Sequence, residues 1–155
     1  MRKHKKLKGS FKREPEYWGQ LSTADHITSV RDTMLGVTGD KDVFTVMDVY
    51  SGLRGFYPTP DKSAKETAKA LRYFVGDRKV MRLYSDNSGE IGAALKKMNI
   101  LAEHAEPGEP RTNTLAETNN RILLDGVRTS LSSAGLPACF WVWAGPHFLC
   151  VVWCM

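Results

Sequence analysis

Acidic side chains are missing from the first 13 positions of this 155-residue chain, and Asp, Glu, Lys and Arg are all missing from Ala138 to Met155. Cysteine is scarce: Cys139, Cys150 and Cys154 are the only three, and they fall in the last 17 residues. That distribution excludes a disulfide-stapled scaffold spanning the chain, and no apolar signal-peptide core follows the N-terminus, so a reduced compartment, nucleus or cytoplasm, is expected. Together with His147 the cysteines supply four zinc-type ligands, but they lack the paired short-loop spacing of structural zinc sites, and zinc is not expected. The uncharged C-terminal stretch raises a membrane anchor, yet Gly145-Pro146-His147 interrupts it. A buried closing helix with a ragged end is expected instead, and a membrane is not an expected partner. There is no internal repeat and no low-complexity block beyond a basic N-terminus.

What is present is one domain's worth of apolar residues, 42% of the chain, with 25% charged residues. The formal charge of +5 is misleading. Seven of the 22 basic residues (Arg2, Lys3, Lys5, Lys6, Lys8, Lys12 and Arg13) sit in the first 13 positions, leaving 15 basic against 17 acidic residues in the remainder. The folded part is therefore not generally basic. Residues 1–18 are expected to form a disordered basic arm, in which Lys3, Lys5 and Lys6 can meet phosphates or serve as a nuclear import signal. Residues 19–148 are expected to form the core, and 149–155 an atypical tail.

Within the core, residues 19–27 read as a short strand with Asp25 near its end. Asp42 to Tyr50 is rich in β-branched and aromatic residues, and Ser51-Gly52 signals a turn into a partner strand over 53–57. Pro58 and Pro60 are expected to stop the sheet. Ser63-Ala64-Lys65-Glu66 has the form of a capping box, opening a helix that ends at Gly76. A strand over 80–84 follows, with Asp86 at its carboxyl end, and the strand–helix–strand order implies a right-handed crossover and parallel pairing. A short helix over 91–98, an edge strand over 100–105 and a long helix from Leu115 towards Gly135 complete a βββαβαβα order before the closing helix.

Three acids stand out: Asp25, Asp86 at a strand end, and Glu117 in the first turn of the long helix. Each has an ordinary explanation. Asp25 suits a loop or cap, Asp86-Asn87-Ser88-Gly89 is a good turn, and Glu117 with Arg121 is an i,i+4 pair worth only about 0.2–0.5 kcal/mol. Together they offer oxygen ligands to a hard divalent cation, as two-metal phosphodiester chemistry requires.

The stretches Phe44 to Ser51, Leu83 to Glu90, Pro110 to Arg121 and Ala134-Gly135-Leu136-Pro137 with Phe140-Trp141 resemble the integrase catalytic core of retroviruses and of copia-type retrotransposons, over roughly residues 19–148. The resemblance implies a ribonuclease H-like α/β fold, a mixed five-stranded sheet flanked by helices. It also implies that Asp25, Asp86 and Glu117 bind Mg²⁺ or Mn²⁺ and that the activity is cleavage and strand transfer of DNA. Asp32 and Asp48 compete with Asp25 for the first acid, and Asp48 matches a non-catalytic acid of the family. Arg121 matches a basic position near the DNA end, and Asn113 with Pro110 falls in the DNA-positioning loop before the catalytic helix. Homo-oligomerisation on DNA is the family's mode of action. The family's upstream zinc module and downstream DNA-binding domain have no counterpart here, so an inactive retroelement fragment that only binds nucleic acid is the alternative. A ribonuclease H-like nuclease would need a fourth acid, and Asp125, two turns beyond Glu117, lies too far along the helix.

Overall fold

The sheet forms where β-branched and aromatic residues run together. The computed structural model, which describes residues 14–28, 35–86, 88–104 and 114–154, contains five strands and four α-helices among them. They are β1 (Ser22–Thr28), β2 (Asp42–Asp48), β3 (Arg54–Thr59), α1 (Ala64–Val75), β4 (Arg82–Ser85), α2 (Gly89–Lys97), β5 (Leu101–His104), α3 (Thr114–Ala134) and, after a 3-10 turn over Ala138–Phe140, α4 (Trp141–Cys154). Lys3, Lys5, Lys6, Asp32, Asn87, Pro110 and Asn113 lie outside the described residues.

The strands form one sheet in the order β3-β2-β1-β4-β5. β1 and β2 are antiparallel, as are β2 and β3; β4 runs parallel to β1 and β5 parallel to β4. Because successive strand residues point to opposite faces, each face builds its own core. One contains Phe44, Val46, Leu83, Leu71, Phe74, Ile91 and Leu95, which joins the sheet to α1 and α2. The other contains Val43, Phe56, Leu123, Val127 and Ala144, which joins it to α3 and α4. Each fully buried Leu, Ile or Phe contributes about 1.5–3 kcal/mol by leaving water. The mixed sheet flanked by helices that the resemblance implies is the fold observed.

Local signals hold at α1. The Ser63 hydroxyl accepts from the Glu66 amide, and Gly76, at φ 56°, closes the helix with its N–H donating to the Arg72 carbonyl. Three expectations are corrected by tertiary structure. Pro58 does not stop β3 but pairs opposite Val43 within it. β3 is an edge strand, where a missing N–H costs no ladder bond. β4 is parallel as expected, but its partner is β1, two strands away from the strand that precedes α1. Pro146 does not end the last helix, which continues to Cys154. A proline inside a helix costs about 3 kcal/mol. Here Val142, Ala144 and Gly145 are buried before it, and Phe148 and Leu149 pack on the second core after it, so both halves are held against the same surface. Val151, Val152 and Trp153 in the final turns remain about two-fifths exposed, and no helix among the described residues is long and apolar enough to cross a membrane.

The close approach of α4 to the sheet depends on Gly145, where a Cβ would lie 2.3 Å from the Phe56 ring. Gly145→Ala should therefore lower the urea midpoint, because overpacking of about 1–3 kcal/mol outweighs a helix-propensity gain of about 1 kcal/mol. Gly92→Ala on α2, where a Cβ meets open space, should raise the midpoint by up to about 1 kcal/mol. A stabilised Gly145→Ala variant would refute this packing of α4.

Candidate active site

Asp25 lies on β1 with its side chain on the α3 face. Its Oδ1 accepts from the His26 backbone N–H at 2.7 Å and its Oδ2 from the Asn120 amide nitrogen at 2.8 Å. Thr45, directly opposite Asp25 in the antiparallel register, closes the group: its hydroxyl lies 2.7 Å from Asn120 Oδ1 and 3.1 Å from the Asp25 carbonyl. At the preceding position, buried Asn119 accepts from Arg54 Nε of β3 at 3.0 Å. Two consecutive asparagines thus tie the first half of α3 to β1, β2 and β3. Asparagine is a poor helix former, and an Asn-Asn pair inside a helical stripe was the available sequence signal for this clamp. Thr45, enclosed between Phe44 and Val46 in an apolar strand, was the second.

Burial raises the Asp25 pKa above the usual carboxylate value; the His26 N–H and the Asn120 amide oppose the rise, and the Asp86 carboxylate adds to it. Asp86 directly follows β4 and is exposed, and continuing the β1–β4 register of Thr23 with Tyr84 by two residues brings Asp25 level with it. The two acids from separate strands therefore share one electrostatic site. On the opposite face, His26 Nε2 lies 3.1 Å from the Thr67 hydroxyl, which itself donates to the Ser63 carbonyl at 2.9 Å. The hydroxyl's one hydrogen is committed, so His26 donates from Nε2. Burial, with Lys62 nearby, holds His26 below its ordinary pKa and so neutral. Lys62, in the loop before α1, acts on both Asp25 and His26 and is a rim cation that sequence reading missed.

Glu117 occupies the first turn of α3, one turn before Asn120, and is exposed. Among the described residues, no three His, Cys, Asp or Glu side chains gather closely enough to hold a metal ion. Asp25 and Asp86 are thus brought together and Glu117 is not. The pair nonetheless has the donor chemistry of a hard-cation site: two carboxylates whose mutual repulsion a divalent ion would relieve, with lone pairs on Asp25 left over from its two hydrogen bonds. The Glu117–Arg121 ion pair is not formed; Arg121 is exposed, and Arg128 pairs instead with Asp125 at 3.2 Å. Cys150 and Cys154 are exposed on α4, one helical turn apart, and no zinc set forms around them among the described residues.

Asp48, the competitor for the first acid, ends β2 rather than sitting within it, and is fully buried. Its Oδ1 accepts from the Gly19 N–H at 2.8 Å, and its Oδ2 from the Ser51 N–H at 2.7 Å and the Ser51 hydroxyl at 2.6 Å. The Ser51 bonds lock the β2–β3 turn, the Gly19 bond ties the segment before β1 to it, and the carboxylate is used for structure.

Solved structures share this arrangement of strands and helices. The catalytic core domain of BIV integrase matches with a TM-score of 0.58 and 17% identity, covering 82% of this chain and 80% of that one. The HTLV-2 integrase catalytic core domain, solved in complex with magnesium in a trimeric form, matches with a TM-score of 0.60 and 17% identity, covering 84% and 82%. This chain has the integrase catalytic-core fold. In sequence the integrase-like chain is 39% identical over 69 residues to the retrovirus-related Pol polyprotein from transposon TNT 1-94 of Nicotiana tabacum. That match covers 41% of this chain but only 5% of the polyprotein's length. No protein-family model matches the chain.

Two outcomes follow for the acids. The fold favours protonated Asp25, so that contribution is fully present below the unfolded pKa and is lost as pH rises through the raised folded pKa. Asn at position 25 mimics the protonated acid, because the Asn120 amide can turn over to accept from the new NH₂ and donate to Thr45. In EDTA, Asp25→Asn should match wild-type stability at pH below the ordinary carboxylate value and exceed it as pH rises, levelling off above the raised folded pKa, as read by urea unfolding. Asp48→Asn places an NH₂ against committed donors and should cost about 1–3 kcal/mol at neutral pH, with divalent-ion binding unchanged.

Proposed function

We propose that the chain is an integrase-type polynucleotidyl transferase core that cleaves and joins DNA phosphodiesters, with Asp25, Asp86 and Glu117 as its metal-binding acids. The observation that carries this reading is the convergence of Asp25 and Asp86 from adjacent parallel strands, beside the helix that bears Glu117. The magnesium in the HTLV-2 core structure supports a divalent cofactor, Mg²⁺ or Mn²⁺. Bound at such carboxylates, the ion supplies Lewis-acid polarisation of the phosphate and activates the attacking water or 3′-hydroxyl.

The chain's own residues then do the positioning. Asp25 is oriented by the His26 N–H and the Asn120 amide, which each hold one of its oxygens. Glu117 must approach from the first turn of α3, and its exposure leaves it free to do so. Arg121, one turn further and clear of Glu117, is available for a DNA phosphate; Asn113 and the arm residues Lys3, Lys5 and Lys6 are assigned the same kind of contact. DNA is the partner in this reading, and the trimeric form of the HTLV-2 core supports assembly of several copies. Action on DNA sets the location as nuclear, or cytoplasmic before entry. A second reading, a core that binds nucleic acid without turnover, draws on the open position of Glu117 relative to Asp25 and Asp86.

Labelled duplex incubated with Mg²⁺ or Mn²⁺ separates the two. The enzyme reading expects nicking or strand transfer that drops on the order of a hundredfold or more in Asp25→Asn, Asp86→Asn and Glu117→Gln. Equal products from wild type and all three variants would sink it, and DNA binding without products would favour the second reading.

A further inference from the structure

Thr45 is a hydroxyl buried to 1% exposure in a strand whose neighbours are Val43, Phe44 and Val46. Valine would fill the same space with equal β-propensity and no polar atom to desolvate, so the hydroxyl costs stability unless it is used. It has one hydrogen and two acceptors in reach, Asn120 Oδ1 at 2.7 Å and the Asp25 carbonyl at 3.1 Å. The Asp25 carboxylate, an acceptor only, selects the orientation of the Asn120 amide with its NH₂ facing Asp25 Oδ2, and the Thr45 hydroxyl braces that orientation by donating to the amide oxygen. The reverse orientation would press an amide oxygen against a carboxylate oxygen, two acceptors with no hydrogen between them.

We propose that Thr45 and Asn120 are positioning residues: the Thr45 hydroxyl braces the Asn120 amide in the orientation that donates to Asp25, and the amide holds the Asp25 carboxylate in its metal-accepting rotamer and fixes the rotation of α3 that carries Glu117. The inference rests on the reading of Asp25 as a metal ligand. Asn120 lies three residues, one helical turn, after Glu117, so the tether acts on the turn that bears that acid. The neighbouring bond from Arg54 to Asn119 anchors the same helix to β3 and leaves the Asn120 amide to Thr45 and Asp25.

The experiment is Mn²⁺ titration of the full chain followed by electron paramagnetic resonance of free Mn²⁺, for wild type, Asp25→Asn, Thr45→Val, Thr45→Ser and Asn120→Ala. Thr45→Val and Asn120→Ala should weaken Mn²⁺ binding about tenfold, and Thr45→Ser should restore it to within about twofold, as expected for partners that orient a metal ligand. In DNA cleavage, Thr45→Val should lower kcat with KM for DNA unchanged, a split that simple loss of stability would not produce. Wild-type Mn²⁺ affinity in either folded Thr45→Val or Asn120→Ala overturns the positioning role while leaving Asp25 as a ligand. Should Thr45→Val not fold, Asn120→Ala decides alone, since alanine is well tolerated in a helix. Asp25→Asn binding Mn²⁺ as tightly as wild type, or a wild type that does not bind it, overturns the ligand reading and this inference together.

Discussion

One side-chain amide joins the sheet to the helix that faces it. Through its oxygen Asn120 meets Thr45 of β2, and through its nitrogen Asp25 of β1, at 2.7 and 2.8 Å. Apolar packing of Leu123 and Val127 holds α3 onto the second core, but burial is non-directional and tolerates rotation about the helix axis. Hydrogen bonds with narrow geometry do not. The Asn119 and Asn120 contacts therefore set which face of α3 the sheet sees and where its first turn begins, and everything proposed for Glu117 depends on that.

The alternation of β1 divides the labour on the two faces of the sheet. His26 turns towards α1, where Thr67 fixes its tautomer and Phe44 packs against its ring at 5.3 Å between centroids. Asp25, one residue earlier, turns towards α3. A strand thus places a neutral, structurally committed imidazole beside a carboxylate that is only partly committed, although the two are adjacent in sequence. The same contrast separates Asp25 from Asp48. Both end up hydrogen-bonded, but Asp48 spends both oxygens on three donors, two from the β2–β3 turn and one from Gly19 ahead of β1, and is fully buried, whereas Asp25 keeps access to Asp86 and to solvent.

Much of the architecture was legible along the chain. Val43 to Met47 reads as a buried strand, Ser63 to Glu66 as a helix start, and Leu115 to Leu131 as a long amphipathic helix, because each of these depends on neighbours within a few residues. The misreadings share a cause. Pro58 is harmless only because β3 lies at an edge, Pro146 only because both halves of α4 are pinned to Phe56 and its neighbours, and β4 finds β1 only through a crossover passing over two strands. At the site, Asp25, Asp86 and Glu117 were visible as acids in suggestive settings. Thr45, Asn119 and Asn120 left only weak local signals, a hydroxyl in an apolar strand and an Asn-Asn pair in a helix, and Lys62 left none, because their partners lie far away in the chain.

By itself, then, the amino-acid order determined the elements, their sequence and the residue types on offer: a mixed α/β chain with hard oxygen ligands near a strand end and a helix start. Local propensity and periodicity carry that information because they act over one or two turns. Only the tertiary structure decided which strands lie side by side, that Asp25 rather than Asp48 shares its surroundings with Asp86, and that Glu117 stands apart from Arg121, one turn before the Asn120 that bonds Asp25. Those outcomes depend on contacts across 75 and 95 residues of chain, where direction and desolvation settle the partner.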